Sequence, residues 1–283
     1  MDLSLVIVSY NTVALLDNCL ASIIRHTKDI SYEMIVIDNN SRDASCELVE
    51  RKFPQVILVK NEDNLGFAKA SNQGIRQARG EYVILLNSDT LLTDNSLSTM
   101  VSFMRQHPEA GGLNPMLLNA DSTLQVPGSK LFNLERWRAK KTHRLSWVSG
   151  AAALFPRKLL NEIGLLDENF FFYNEDLDLS IRIRRRGYAL YYCAEAKVIH
   201  LGGQSTSALN GDAMWYGYQG GFYYCEKHYG RGIGRVYKAV ALTDLGLRIA
   251  LLGLCCPFNL KEKNKDRLTA YQRIFKDALG GKM

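Results

Sequence analysis

Four apolar runs recur in the first 110 residues, and each one ends in small polar side chains. The runs are LSLVIVSYN (3–11), YEMIVIDNNS (32–41), QVILVKNED (55–63) and EYVILLNSD (81–89). Stretches with apolar residues at helical spacing separate them. Strands that alternate with helices of about a dozen residues indicate parallel βαβ units. Nearly continuous apolar strands indicate a sheet that is covered on both faces.

The polar ends of these four strands are the first candidate for a functional site. In open α/β sheets, ligands bind beyond the carboxyl ends of the strands. Polar residues end many strands simply because loops are polar, but four such ends in succession, with Asp38 and Asp89 among their residues, indicate a binding edge. The four ends are Ser9 to Asn11, Asp38 to Ser41, Asn61 to Gly66, and Asn87 to Asp89.

Two carboxylates at this edge, Asp38 and Asp89, fit the needs of a nucleotide diphosphate. Asp38 suits a nucleoside, which presents ring N–H and ribose hydroxyl donors, and Asp89 suits the divalent cation of the diphosphate. The chain has no Gly-x-x-x-x-Gly-Lys-Ser/Thr loop and no Gly-x-Gly-x-x-Gly motif. A P-loop site and a dinucleotide cofactor are therefore excluded.

The pattern weakens after residue 110. Segment 119–144 carries turn signals and then six basic residues against one Glu, which predicts a basic loop that either is solvated or binds a ligand. Apolar structure resumes over 147–171, and 173–205 is predicted to form a helix, a turn, a strand and a Gly-rich exit. We therefore predict one α/β domain over 1–205, with a nucleotide-binding half (1–110) and an acceptor-binding half (111–205).

Composition and charge narrow the class of protein. The 283 residues include 35 Lys and Arg against 29 Asp and Glu, a net charge of +6. This excess fits an anionic substrate or membrane surface and is too small to indicate nucleic acid. The six cysteines form no Cys-x-x-Cys pair, which favours reduced thiols in the cytoplasm. We expect no signal peptide, because no basic segment precedes the first apolar run, and no membrane span.

A second group of candidate residues follows four aromatic side chains in FFFYNEDLDLSIRIRRRGY (170–188). Glu175, Asp176 and Asp178 crowd the start of a predicted helix, where its dipole favours carboxylates for structural reasons alone. Crowding and an aromatic surround also raise a carboxyl pKa, which produces a useful general base. His200, at the end of a predicted strand, is either structural or a ligand for a Mn²⁺-type metal.

Together these stretches resemble the family 2 glycosyltransferases with a GT-A fold, especially their bacterial rhamnosyltransferase-like branch. The resemblance covers about residues 3 to 205. It implies an α/β fold with a mixed, mostly parallel sheet and helices on both faces. The matching stretches are VIVSYN, IVIDNNSRD, NLGFAKASNQGI, GEYVILLNSDT, SGAAALFPRKLLNEIGLLDENFFFYNEDLDLSIRIRRRGY and VIHLGGQS.

The resemblance implies a role for each of several residues. Asp176 would be the catalytic base, with Glu175 beside it. Asp89 and His200 would hold the metal, Mg²⁺ or Mn²⁺. The acceptor-binding residues would be Trp147, Gly150 and Asp178. The residues implied to bind the nucleotide sugar are Ser9, Asn11, Asp38, Ser41, Asn64, Gly66, Phe67, Asn72, Asn87, Ser88 and Asp89.

The implied reaction is inverting transfer of a sugar from a nucleotide diphosphate to a hydroxyl of a lipid-linked saccharide, in the synthesis of bacterial surface polysaccharide. The branch is associated most often with dTDP-L-rhamnose, and a UDP-hexose or UDP-N-acetylhexosamine is the alternative donor. Asn87-Ser88-Asp89 would be the metal motif. Ser88 departs from the Asn-Pro-Asp of the branch, and the Asn at the first position leaves Asp89 as its one carboxylate.

The last eighty residues lie beyond the resemblance. Segment 212–230 holds seven aromatic residues, and 236–258 predicts a strongly apolar helix in which Asp244 and Arg248 lie one turn apart. Seven Lys and Arg against three acids follow from Lys261 onward. We expect 206–283 to be a helical extension that either anchors the protein on the inner face of the bacterial plasma membrane or packs on its own domain or a second subunit.

Two other classes of protein fit less well. A sugar nucleotidylyltransferase needs a Gly-rich basic loop after the first strand, and SYNTVALLDN has no Gly, Lys or Arg. A non-catalytic sugar-nucleotide or polysaccharide binding module would not need Asp89, Asp176 and His200. The sequence leaves open the donor sugar, the acceptor, the linkage and the oligomeric state.

Overall fold

The computed structural model describes residues 1–125, 140–202, 212–255, 262–281 and 283. Most of the predicted basic loop, Gly203, the start of the extension and the segment 256–261 lie outside these residues. The chain forms two compact units. One contains Met1–Glu168 and Glu175–Ala208, and the other contains Asn169–Asn174 and Leu209–Met283. The short segment before Glu175 thus groups with the C-terminal residues, although we had placed it in the domain over 1–205.

The first unit alternates strands and helices. Its strands are β1 (Leu3–Ser9), β2 (Tyr32–Asp38), β3 (Ile57–Lys60), β4 (Tyr82–Asn87), β5 (Thr90–Leu92), β6 (Ala110–Leu118), β7 (His143–Leu145), β8 (Ala152–Pro156) and β9 (Ala189–His200). Its helices are α1 (Val13–His26), α2 (Ser45–Lys52), α3 (Phe67–Gln77), α4 (Ser96–Gln106), α5 (Arg157–Ile163) and α6 (Glu175–Arg185).

These strands form one mixed sheet in the described part of the chain. The order is β3-β2-β1-β4-β8-β6-β9-β5, and β7 pairs with β9. Pairing is parallel from β3 to β4 and again between β6 and β9. The other pairs are antiparallel. The predominance of parallel pairs that we expected therefore holds in the half of the sheet that contains β1 to β4.

Helices cover both faces of the sheet, as the apolar strands predict. Leu5 and Ile7 of β1 belong to one core cluster with residues of α1 and α4. Val6, which lies between them and points to the other face, belongs to a second cluster with residues of α3, α5 and α6. This alternation buries β1 on both faces apart from Val8, which is half-buried next to the carboxyl end of the strand.

The second unit is helical. It contains α7 (Asp212–Cys255), which is broken at Gly230 where φ is +86°, and α8 (Glu262–Leu279). Leu245 and Ile274 are buried within it. The predicted pair in α7 is confirmed, since Arg248 Nε lies 2.6 Å from Asp244 Oδ2. Within the residues that can be described, neither α7 nor α8 has an apolar stretch long enough to cross a bilayer.

Candidate active site

The carboxyl ends of three neighbouring strands bring the first candidate residues together. In the sheet register, Ser9 of β1 is opposite Asp38 of β2. Val8 is opposite Asn87 of β4 on the other side. The edge predicted from the four polar strand ends therefore exists, and it places the candidate nucleoside residues beside the candidate metal residues.

Asp38 has one carboxylate oxygen that the protein itself does not satisfy. Its side chain is 3% exposed, and Oδ2 accepts a hydrogen bond from the backbone N–H of Ser41 at 2.9 Å. Oδ1 is buried without a hydrogen-bond partner. The Ser41 hydroxyl in turn accepts from the N–H of Asn11 at 2.9 Å, which joins the loops after β1 and β2. A rigid carboxylate with a free oxygen is suited to accept a hydrogen bond from a ligand.

Asn64, Gly66 and Phe67 form the next part of the edge. The side-chain N–H of Asn39 donates to Asn64 Oδ1 and to the carbonyl of Gly66, both at 3.1 Å. Gly66 has a φ of +79°, which a residue with a side chain rarely adopts, and this turn starts α3 at Phe67. The ring of Phe67 lies 3.5 Å from the position that a Cβ on Gly150 would occupy. The loop before α3 therefore faces one of the candidate acceptor residues.

Asn72 does not line this edge, which corrects our expectation for it. Its side-chain N–H donates to the carbonyl of Leu166 at 2.8 Å and to Glu168 at 2.9 Å, and its oxygen accepts from the N–H of Leu166 at 3.0 Å. The residue is 1% exposed. Because every one of these contacts is with the segment after α5, Asn72 holds that segment and does not touch a nucleotide.

Ser88 also faces inward. Its hydroxyl accepts from Thr12 Oγ1 at 3.1 Å, and Thr12 Oγ1 lies 3.0 Å from Ser9 Oγ. All three side chains are buried, at 5% exposure or less. This chain of hydroxyls connects β1 to the turn between β4 and β5. The hydroxyls of Ser9 and Ser88 are both engaged in this chain, so the contacts seen here position the end of β1 against that turn.

Asp89 and His200 lie side by side, as expected for residues of one metal site. Thr90 of β5 is opposite His200 of β9 in the sheet. His200 Nε2 is 3.3 Å from Asp89 Oδ1 and 3.4 Å from Asn87 Nδ2. Asp89 is 2% exposed, and its Oδ1 has no hydrogen-bond partner despite the short distance to the imidazole. The His200–Asp89 contact therefore brings two atoms together without satisfying the carboxylate.

These two residues fit a divalent cation. A buried carboxylate oxygen without a partner costs free energy unless a cation or a hydrogen bond compensates it. A carboxylate and an imidazole are ligands that Mn²⁺ accepts, and nucleotide-bound Mg²⁺ or Mn²⁺ takes its other ligands from phosphate oxygens and water. Throughout the described ranges, no cluster of three or more His, Cys, Asp or Glu is arranged to hold a metal. The protein thus offers a partial set of ligands that a diphosphate would complete.

Glu175 and Asp176 begin α6, where Glu175 is buried and Asp176 is half-buried. Asp176 Oδ2 accepts from the backbone N–H of Gly150 at 3.2 Å, and its Oδ1 accepts from Leu177 N–H at 2.8 Å. Burial raises the pKa of Asp176 above its usual value, although these two hydrogen bonds oppose the shift. Burial, together with the charge of Asp176, raises the pKa of Glu175 to about 8. At neutral pH, Glu175 is therefore the protonated member of the pair and Asp176 the one suited to take a proton.

Asp178 does not reach an acceptor, which is a second correction. It is completely buried and pairs with Arg182 Nε at 2.8 Å. The Arg182 guanidinium also donates to the backbone carbonyls of Ile163, Gly164 and Leu165. Asp178 therefore neutralises Arg182, whose guanidinium binds the backbone carbonyls at the C-terminal end of α5. Of the other acceptor candidates, Gly150 contacts Asp176, and Trp147 is partly exposed in the segment before β8.

Gln125 is the site residue that reasoning from the sequence missed. Its Oε1 lies 2.8 Å from His200 Nδ1, and its Nε2 donates to the carbonyl of His200 at 3.1 Å. It stands in TLQVPG, at the edge of the predicted basic loop, where nothing in the sequence pattern sets it apart. Only the pairing of β6 with β9 brings it beside His200.

Comparisons with known proteins find a family model and related sequences. The family model described as Glycosyl transferase family 2 matches residues 4–164. The N-acetylglucosaminyl-diphospho-decaprenol L-rhamnosyltransferase of Mycobacterium tuberculosis is 27% identical over 238 residues, which are 72% of this chain and 77% of that protein. The poly-beta-1,6-N-acetyl-D-glucosamine synthase of Staphylococcus aureus is 26% identical over 191 residues, 65% of this chain and 46% of that protein.

Solved structures share the fold. A mannosyltransferase from Pyrobaculum calidifontis in complex with GDP-Man and Mn²⁺ aligns with a TM-score of 0.62 and 17% identity, over 98% of this chain and 86% of that one. TarS (1–349) of Staphylococcus aureus aligns with a TM-score of 0.59 and 14% identity, over 99% and 92% of the two chains. The GT-A fold and its mixed sheet are thus confirmed.

Proposed function

The chain belongs to glycosyltransferase family 2, and from that premise we propose that it is an inverting, metal-dependent enzyme. It transfers a sugar from a nucleotide diphosphate to a hydroxyl group of a lipid-linked saccharide, in the synthesis of bacterial surface polysaccharide such as O-antigen, capsule or exopolysaccharide.

One observation carries this proposal. Among the described residues, only three carboxylate oxygens are buried without a hydrogen-bond partner, and they belong to Asp38, Asp89 and Glu175. All three residues are in the candidate site. Leaving such a group unsatisfied costs about 1–3 kcal/mol or more, so its concentration in one region supports a site that a ligand completes.

In the proposed mechanism, Asp176 is the base. It removes the proton of the acceptor hydroxyl while that oxygen attacks the anomeric carbon of the donor, and the bond to the nucleotide diphosphate breaks. One displacement inverts the configuration at that carbon. The Gly150 N–H orients Asp176, and Asp38 accepts a hydrogen bond from the nucleoside. A divalent cation held by Asp89 and His200 would act as a Lewis acid on the diphosphate.

The donor we propose first is dTDP-L-rhamnose. The mycobacterial relative supports it by its rhamnosyltransferase name, and the relative in Staphylococcus aureus supports the alternative of a UDP-N-acetylhexosamine or UDP-hexose. The name of the mycobacterial relative also includes a decaprenol diphosphate, which supports a lipid-linked acceptor.

The second unit supports a location at the membrane surface. Five large side chains on one face of α7 are 55–64% exposed: Ile233, Val236, Val240, Leu247 and Leu251. We refer to them as the apolar stripe. Residues 209–283 hold twelve Lys and Arg against six Asp and Glu, whereas the first 208 residues hold 23 of each. The whole net charge of the chain thus lies in the part that carries the stripe.

An exposed apolar face combined with positive charge is suited to an anionic lipid surface. We therefore propose that this unit binds the inner face of the bacterial plasma membrane, where a lipid-linked acceptor is held. A homodimer that buries the same stripe is the alternative, and the two are distinguished by an experiment described in the Discussion.

Turnover of the donor tests the proposed function. Purified protein with Mg²⁺ or Mn²⁺ is offered a panel of dTDP- and UDP-sugars, with and without a lipid-linked saccharide, and release of nucleotide diphosphate is followed. We expect release from one donor, abolished by Asp176→Asn and by Asp89→Ala. Asp94→Asn is the matched control, because Asp94 is an exposed surface residue.

Two outcomes would overturn the proposal. If the protein binds a sugar nucleotide but turns over no donor with any acceptor, the binding module is the better description. If Asp176→Asn keeps full activity, the base is another carboxyl group, and Glu175 is the next one to test.

A further inference from the structure

Gln125 holds His200 from two sides. Its Oε1 lies 2.8 Å from His200 Nδ1, and its Nε2 lies 3.1 Å from the backbone carbonyl of the same residue. The Gln125 backbone is itself fixed, because its N–H donates to the carbonyl of Leu117 in β6 at 2.9 Å. The side chain therefore connects β6 to the end of β9, where His200 lies.

These contacts determine which way the Gln125 amide points. A backbone carbonyl can only accept a hydrogen bond, so the amide atom next to the His200 carbonyl must be the nitrogen. The same nitrogen lies 3.3 Å from Asn119 Oδ1, a second acceptor. The oxygen of the amide consequently faces His200 Nδ1. Because this oxygen can only accept, His200 Nδ1 must carry a hydrogen.

The proton on Nδ1 decides what the other nitrogen does. In the neutral ring, Nε2 then presents a lone pair. Nε2 lies 3.4 Å from Asn87 Nδ2, which can donate to this lone pair, and 3.3 Å from Asp89 Oδ1, a buried acceptor without a hydrogen-bond partner. Two acceptor atoms at such a short distance repel one another unless a cation lies between them. Ligands that bind one cation at about 2.1 Å are separated by about this distance.

We propose that Gln125 is a positioning residue of the metal site: it holds His200 in the Nδ1–H tautomer, so that Nε2 and Asp89 Oδ1 together face a divalent cation. Outer residues of this kind fix both the tautomer and the orientation of a metal-binding histidine. This inference rests on the proposed function for the identity of the cation, but the tautomer itself is a property of the protein alone.

The backbone after His200 fits this arrangement. Gly202 has a φ of +65°, and a Cβ built on it would lie 3.4 Å from Gln125 Nε2. The Leu201 N–H donates to the carbonyl of Asp89 at 3.0 Å. The chain therefore turns closely around both Gln125 and Asp89, and this holds the two sides of the site at a constant spacing.

Three variants test the proposal. Gln125→Leu removes both hydrogen bonds at nearly constant size. Gln125→Glu keeps an oxygen that accepts from Nδ1–H but loses the donor to the carbonyl. Gln106→Leu, on the exposed end of α4, is the matched control.

The ¹⁵N chemical shifts of the His200 ring, assigned by comparison with His200→Asn, report the tautomer in the metal-free protein. Titration with MnCl₂, followed by electron paramagnetic resonance of free Mn²⁺, reports affinity with and without a nucleoside diphosphate.

We expect the neutral His200 ring of the unmodified protein to carry its hydrogen on Nδ1 and to leave Nε2 unprotonated. Gln125→Leu should shift the ring toward the Nε2–H tautomer and weaken Mn²⁺ binding about 10- to 100-fold. Gln125→Glu should keep the tautomer, and Gln106→Leu should change neither property. A circular dichroism melt identifies any variant that fails to fold, and the tautomer of the unmodified protein, which needs no variant, then carries the test.

Two results would overturn the proposal. One is a His200 ring in the unmodified protein that, at a pH where the ring is neutral, is the Nε2–H tautomer. The other is a folded Gln125→Leu that keeps the tautomer and binds Mn²⁺ as tightly as the unmodified protein. Failure of the proposed function looks different: the tautomer would be as expected, but no nucleotide sugar would be turned over.

Discussion

Glu175 and Asp176 are adjacent in the chain, Glu175 buried and Asp176 half-buried, yet the protein satisfies only Asp176 with hydrogen bonds. Asp176 accepts two backbone hydrogen bonds, from Gly150 and Leu177. Glu175 Oε2 has no partner. The difference places the charge of the pair on Asp176 and leaves the proton on Glu175.

The two carboxyls should therefore respond differently to replacement by their amides. Asp176→Asn removes the base and should lower kcat by about 10²- to 10⁴-fold. Glu175→Gln replaces a protonated acid by an amide of similar shape and should lower kcat by less than about tenfold. Steady-state kinetics with the donor found in the panel check this, with Asp94→Asn as the control. Equal losses of kcat in both variants would contradict the assignment of Asp176 as the base and of Glu175 as the protonated carboxyl group.

Glu175 should also make stability depend on pH. Its pKa is raised from 4.5 to about 8 in the folded protein, so between these values the unfolded chain loses a proton that the folded protein keeps. The free energy of unfolding should thus fall as pH rises through this window, by up to about 1.4 kcal/mol per unit. Glu175→Gln lacks this carboxyl group. The free energy of unfolding of the variant minus that of the unmodified protein should therefore increase from pH 5 to pH 8 and change little above pH 8.

Urea unfolding at pH 5, 6, 7 and 8 measures this difference. Glu162→Gln, an exposed glutamate at the end of α5, is the matched control and should give a constant difference. A Glu175→Gln difference that does not change over this range would mean that Glu175 is ionised in the folded protein.

Replacing Asp178 should affect stability and not acceptor binding. Asp178→Asn leaves the Arg182 guanidinium without its buried counter-charge, and breaking a buried pair costs about 3–5 kcal/mol. Urea unfolding should show that loss, whereas KM for the acceptor, measured on the folded fraction at low temperature, should stay within about twofold. A large rise in KM with unchanged stability would restore Asp178 to the acceptor site.

Gly80 should not tolerate a side chain. A Cβ there would lie 2.6 Å from backbone atoms of Leu3 and Ser4, which cannot move without disturbing β1. Gly80→Ala should cost more than about 3 kcal/mol or prevent folding. Gly232→Ala in α7 is the comparison, because nothing lies within 4 Å of its Cβ and alanine favours a helix. Thermal melts of both variants check this, and equal melting temperatures would contradict it.

The apolar stripe should mediate binding to anionic vesicles. Val240→Asn with Leu247→Asn should weaken binding to phosphatidylglycerol vesicles at least tenfold, because each buried aliphatic side chain contributes about 1.5–3 kcal/mol. Ala239→Asn with Ala250→Asn, also exposed on α7, is the control. Binding should weaken in high salt and on phosphatidylcholine. If the stripe variant instead turns a dimer into a monomer and leaves vesicle binding unchanged, the stripe is a subunit interface.

Much of the fold could be read from the sequence because the signal is local. The runs that end at Ser9, Asp38 and Asn87 are apolar almost throughout, and burial on both faces of a sheet requires that pattern. The polar residues after them follow from the same cause, since only the strand ends are open to ligands. The order of the strands, the antiparallel insertion of β8 and the grouping of Asn169–Asn174 with the second unit depend on contacts distant in sequence, and no local pattern encodes them.

The candidate site also has features that the sequence predicts and features that only the structure shows. The sequence by itself determined which chemical groups are present: Asp38, Asp89, Asp176 and His200 stand at element ends where their chemistry was recognisable. Only the tertiary structure decided which of the polar residues face a ligand. Asn72 and Asp178 looked like site residues, but Asn72 is bound by Leu166 and Glu168, which are distant in sequence, and Asp178 pairs with Arg182 of its own helix. Gln125 looked like a loop residue, but the pairing of β6 with β9 places it on His200. The physical reason is that the contacts of a polar side chain are a property of the three-dimensional fold, so the local sequence does not show which partners it meets.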